Sequence, residues 1–164
     1  MPLLNIEAHS LEAIGKLEPE FPYAATLLVY TVLERCLKLH LLKNRKTLTQ
    51  NEVDLETKVG QKKRKLSNFI NLDDNSFIQQ VLAYCTPGTM EKIYKVPDRK
   101  YSSFRNKVFH SDLYLKDQRT SDYQSRDKAN REYLKTAKEH LVEASELYFK
   151  LKIIELNRLL QFEN

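Results

Sequence analysis

Three glycines in 164 residues, Gly15, Gly60 and Gly88, limit this chain more than any other feature. Left-handed turn positions fall by default to glycine. Sandwiches and barrels of short strands need such turns about every 8–12 residues. With only five prolines beside the three glycines, the chain lacks the turn residues for a sheet fold. Glycines this far apart also build neither a G-x-G-x-x-G loop nor a Walker A loop. Nucleotide binding by either route is excluded. What remains is an all-α protein in which side chains on helices carry any chemistry.

The apolar spacing locates those helices. A short amphipathic helix is predicted over Leu3 to Leu17, ended by Pro19 and Pro22. A second begins after Pro22 and runs to about Lys46. Ala25, Leu28, Val32 and Cys36 form one stripe on it, and Tyr30, Leu33, Leu37 and Leu41 the next. A helix apolar over that width packs on two sides. Its polar stripe carries Thr31, Glu34 and Lys38. From Thr47 to Lys65 the chain is polar and reads as a helix extension or an exposed connection, ending in a basic cluster. A third helix, Ser76 to Cys85, has Asp73, Asp74 and Asn75 as candidate caps and stops at Pro87-Gly88. After a turn over Thr89 to Val96, Asp98 or Ser102 caps a helix covering most of the stretch to Lys116.

From about Ser125 to Phe162 there is neither Gly nor Pro. Leu134, Ala137, Leu141, Ala144, Tyr148 and Leu151 succeed one another at spacings of three and four, and Leu147, Ile154 and Leu159 widen the stripe. This predicts a helix ~50 Å long at about 1.5 Å per residue. Four main helices with short additional ones fold most economically as an antiparallel four-helix bundle, one domain over 1–164.

Formal charge is +5 and the pI about 9.1, which permits an anionic partner without demanding one. Cys36 and Cys85 form no C-x-x-C pair, so a reducing compartment fits. The first fifteen residues have no basic region and are interrupted by Asn5, Glu7, His9 and Glu12, unlike a signal peptide. No run of eighteen apolar residues offers a membrane span. A cytoplasmic location is the expectation. His9, His40, His110 and His140 are scattered without metal-ligand spacing, so no metal and no cofactor are expected. His110-Ser111-Asp112 has the residue types of a hydrolase triad, but consecutive helical residues point about 100° apart and cannot line up.

The segment Phe104-Arg105-Asn106-Lys107-Val108-Phe109-His110 is more informative. On a helix, Asn106 and His110 stand four apart on one face, and the fork of Arg105 reaches toward the same point. Guanidinium, amide and imidazole together suit a phosphodiester, because an imidazole shuttles protons near neutral pH and a guanidinium binds the charge gathering on phosphorus. A plainer use of the same residues has His110 capping a helix end and Arg105 pairing with a carboxylate.

Arg105-Asn106-Lys107-Val108-Phe109-His110 is a full instance of R-x4-6-H with a polar residue after the Arg, and in this it resembles the HEPN superfamily. The all-α character, the long final helix and the second helix, with Glu34 in VLERCLKL, also resemble that superfamily over about residues 21–162. The resemblance implies a HEPN-like bundle acting as a metal-independent endoribonuclease in toxin–antitoxin, phage-defence or RNA-processing settings. It implies a homodimer in which two motifs face one cleft, and an antitoxin as a possible partner protein. Attack by the ribose 2′-OH on the adjacent phosphate would leave a 2′,3′-cyclic phosphate, sparing DNA. His110 would be general acid or base, Arg105 would stabilise charge, and Asn106 would orient His110 or the phosphate. Glu34 matches an acidic residue lying near the motif in that superfamily, and it equally fits a surface pair with Lys38. Where some members extend the motif to H-x-Y, Asp112 stands here and the nearest tyrosine is Tyr114, which argues against control by tyrosine modification.

An RNA path is expected along Lys92, Lys95, Arg99, Lys100 and Lys107, with Tyr94 and Tyr101 offering rings for base stacking. The run Lys62 to Lys65 adds candidate phosphate contacts. A solvated helix face accounts for the same charges. The final turns, IIELNRLLQF, outrun a compact bundle and suit a second subunit. The alternative to a nuclease is a HEPN-like bundle that binds RNA or protein without cleaving, and the complete motif favours the nuclease.

Overall fold

Proline at the first position of a helix loses nothing, since the N–H it lacks there has no intrahelical partner. Pro22 takes that position in the longest helix among the described residues. The computed structural model describes residues 3–49, 54–56, 63–65, 73, 75, 76, 79, 88–110 and 123–149. Helix α1 covers Leu3–Leu17, as its periodicity predicts, and buries Leu11 and Ile14 on one face. Helix α2 covers Pro22–Thr49, running on past Lys46. It buries Ala25, Tyr30, Val32, Leu33, Cys36, Leu37 and Leu41 of the two expected stripes and Val29 besides, while Leu28 is only half-buried.

The polar segment after α2 is neither helix extension nor plain connection throughout. Strands β1, Asp54–Glu56, and β2, Lys63–Lys65, pair antiparallel. Their register sets Asp54 opposite Lys65 and Glu56 opposite Lys63. Facing positions of opposite charge favour such a pairing. This is the one strand pair among the described residues, whose other regular elements are helices.

Of the candidate caps before Ser76, Asp73 bonds to that residue, while Asp74 lies outside the described residues. The Asp73 carboxylate accepts from the Ser76 backbone N–H at 2.9 Å and from the Ser76 hydroxyl at 2.6 Å. These hydrogen bonds, the hydroxyl's foremost, hold its carboxyl below the usual aspartate range. The rest of the predicted Ser76–Cys85 helix is outside the described residues except at Gln79.

Helix α3, Thr89–Ile93, forms where only a turn is expected. Gly88 enters it at φ 88°, and a Cβ there would stand 3.1 Å from both Arg99 Cδ and Ser102 Oγ. Conformation and space together demand glycine. A 3-10 turn, Pro97–Arg99, leads into helix α4, Lys100–Phe109. Neither Asp98 nor Ser102 caps α4. Asp98 sits at φ 52° in the turn, and Ser102 is already the third helical residue, a donor without an intrahelical acceptor. The cap comes from α3. Glu91, 2% exposed, accepts from the Ser102 N–H at 2.7 Å and from its hydroxyl. A carboxylate at a helix N-terminus also meets the positive end of the helix dipole.

Helix α5 covers Tyr123–Ala144 and buries Leu134, Ala137, Leu141 and Ala144, the first four residues of the predicted stripe. It then turns π-helical over Ser145–Phe149. The buried Ser145 hydroxyl donates to the Leu141 carbonyl at 2.6 Å. A wider turn shifts the angular position of the residues beyond Ala144, so Leu147 leaves the stripe and is 61% exposed instead of widening it. The expected continuation to Phe162, and a contact of IIELNRLLQF with a second subunit, lie outside the described residues.

The expectation of one domain over 1–164 meets a division into two compact units, Met1–Leu33 with Phe104–Asn164, and Glu34–Ser103. In the first, α5 secures the end of α1. Arg131 donates to the carbonyls of Glu18 at 3.3 Å and Pro19 at 2.8 Å, and the buried Lys138 ammonium pairs with the Glu18 carboxylate. In the second, the Tyr94 hydroxyl donates to the Leu37 carbonyl at 3.0 Å while its ring meets His40 edge-on. No helix among the described residues is long and apolar enough to cross a membrane.

Candidate functional site at the end of α4

Helix α4 turns Val108 into the core, fully buried, and Phe104 half inward. That leaves Asn106, Lys107 and Phe109 exposed, with Arg105 half-buried between the two faces. His110 is the first residue past the helix. Its backbone N–H donates to the Asn106 carbonyl at 2.8 Å, so the helical ladder reaches it. The Arg105 Nη2 donates to Asn106 Oδ1 at 3.3 Å, which brings guanidinium and amide together as their positions suggest. The His110 ring stands edge-on to Phe109, centroids 5.5 Å apart. Among the described residues it makes no hydrogen bond, and it is exposed. The sequence places the three groups within six residues, and the structure sets Arg105 and Asn106 at the end of α4 with His110 just past it.

A second group lies beneath this turn. The Phe104 ring packs edge-on against His140 at 5.3 Å and Tyr133 at 5.9 Å, and tilted against Tyr30 at 6.2 Å. Tyr30 and His140 are both buried, and the Tyr30 hydroxyl is hydrogen-bonded to His140 Nδ1 at 2.9 Å. Reading His140 only as a failed metal ligand misses this role. Its signal is present in the sequence: His140 lies three residues after Ala137 and four before Ala144, on the buried stripe.

Glu34 forms an ion pair with Lys38 at 3.1 Å, the surface pair that its spacing allows. Tyr101 is corrected outright. At 2% exposure its ring is core, because it lies three residues before Phe104 on the inward face, and it offers no surface to a base. Tyr94 is half-buried, its hydroxyl committed to Leu37. Lys92, Lys95, Arg99, Lys100 and Lys107 are exposed. Of the basic run, Lys63, Arg64 and Lys65 form β2, while Lys62, Ser111, Asp112 and Tyr114 are outside the described residues. Among the described residues no three His, Cys, Asp or Glu side chains gather as a metal site would.

The end of α4 thus carries a guanidinium bonded to a neighbouring amide, and an exposed imidazole at the first residue past the helix. Comparison with known proteins adds no relative: no protein-family model, no curated protein and no solved structure matches the chain.

Proposed function

We propose that the chain is a metal-independent endoribonuclease of the HEPN kind, its fold a HEPN-like four-helix bundle acting as a homodimer. The observation that carries this reading is the last turn of α4, where Asn106 steadies the Arg105 guanidinium and His110 stands exposed one turn on. In the reaction, the ribose 2′-oxygen bonds to phosphorus as the bond from phosphorus to the 5′-oxygen breaks. One proton leaves the 2′-hydroxyl and one joins the 5′-oxygen. His110 serves as acid or base for this exchange, and Arg105 neutralises the charge that builds on the phosphoryl oxygens. Lys100 and Lys107, exposed on the same helix, contact phosphates. Glu34, paired with Lys38, is given no step.

The test is incubation of the protein with RNA in EDTA, beside His110→Ala and with DNA of the same sequence as control. Cleavage of RNA alone, ending in 2′,3′-cyclic phosphate and lost in the variant, is expected. Cleavage that needs a metal, or that survives the substitution, overturns the mechanism. RNA binding without cleavage leaves the non-catalytic module in its place.

A further inference from the structure

A buried polar pair is a poor way to fill a core unless it fixes something, because each group must keep its partner or lose its solvation. Tyr30 on α2 and His140 on α5 form such a pair, at 3% and 6% exposure, with 2.9 Å between the hydroxyl and Nδ1. The bond fixes the rotation of both rings. Those two rings, with Tyr133, are what Phe104 packs against.

Phe104 directly precedes Arg105. In a helix, successive side chains are about 100° apart, so rotating α4 about its axis moves every group of the motif at once. Within the first unit, Phe104 and Val108 are the residues of α4 that face inward. Val108 offers a small, nearly symmetric surface. Phe104, clasped edge-on by two rings and tilted on a third, is the group of this unit that distinguishes one rotation from another, as buried Tyr101 does in the second unit.

We infer that Tyr30 and His140 are positioning residues, whose mutual hydrogen bond orients the rings that hold Phe104 and so sets the rotational register at which α4 presents Arg105 and His110. They touch no substrate and act through Phe104. The assignment rests on the ribonuclease reading for its kinetic consequence, and on the geometry alone for its structural one.

Tyr30→Phe tests it, since the hydroxyl goes and both rings stay. The chain has four histidines, so the His110 ring resonance in a carbon–proton spectrum is assigned by its loss in His110→Ala. Tyr30→Phe is expected to shift or split that resonance. It should also lower kcat for RNA about tenfold with KM within about twofold, the mark of misplaced catalytic groups. Lys138→Met is the control, as it breaks a different buried pair in the same unit, the one with Glu18. It destabilises the unit while leaving the His110 resonance in place, which separates positioning from loss of stability. Should Tyr30→Phe not fold, Phe104→Leu removes the clasped ring and is read the same way. A His110 resonance that superimposes on the wild type overturns the assignment, whatever the kinetics. If wild-type protein cleaves no RNA, the ribonuclease reading fails, and the resonance by itself decides the positioning role.

Discussion

At its first turn α4 is gripped by a carboxylate that reaches in from another helix: Glu91 takes both donors of Ser102 and is almost wholly buried. At its last turn Phe109 and His110 face solvent, and the link from Arg105 to Asn106 is made within the turn itself. One end is committed to holding the chain, the other is left open. A helix secured at its start and anchored from below by Phe104 and Val108 can carry exposed polar groups at its end without becoming unstable. The proposed site sits at the more exposed of the two ends.

That contrast predicts opposite outcomes for substitutions at the two ends. His110→Ala should lower RNA cleavage by about 10²–10⁴-fold, the usual contribution of a positioned proton carrier. Its urea unfolding free energy should stay within about 0.5 kcal/mol of wild type, as for other exposed sites. A large stability loss would mean the open end is structural after all. Glu91→Ala should instead cost about 2–3 kcal/mol in the same urea titration, because it strips charge-assisted bonds from a buried helix start. An unchanged midpoint would remove the anchored end from the comparison.

Smaller effects sharpen it. Glu34→Gln breaks an i,i+4 pair, worth about 0.3–0.5 kcal/mol. Cleavage should change by less than about threefold. A loss approaching that of His110→Ala would bring Glu34 into the site. The smallest effect is expected at Asp73, fully exposed and capping by local bonds alone. Its carboxyl is lowered in the folded protein, so its contribution to stability is present above the unfolded aspartate pKa and fades as pH falls through the folded value. Asp73→Asn should flatten the acid side of the stability profile over that interval while leaving neutral-pH cleavage alone.

Much of the molecule is legible in its sequence, for local reasons. Leu3 to Leu17 and the Leu134, Ala137, Leu141, Ala144 stripe follow from spacing, since a periodic apolar face has one way to be buried. Pro22 marks its helix start. Counting alone places Asn106 and His110 on one face. The departures have a common physical origin as well. Tyr101 has the composition of a stacking residue in a basic stretch, and only the rotation of α4 shows that it faces inward. Leu147 keeps the spacing but not the burial, because a π turn intervenes. Local residues suggest the cap of α4 in Asp98 or Ser102, whereas it lies 11 positions upstream of Ser102.

The scarcity of glycine argued against sandwiches, barrels and phosphate loops, apolar periodicity placed α1, α2 and α5, and a six-residue segment supplied the residues of the proposed site. Each is a local property, and the sequence is enough for it. Which carboxylate caps α4, which histidine is buried against a tyrosine, and which way a tyrosine in a basic run turns were decided by the tertiary structure. Those depend on groups that meet only when distant segments pack, as Tyr30 and His140 do across 110 positions.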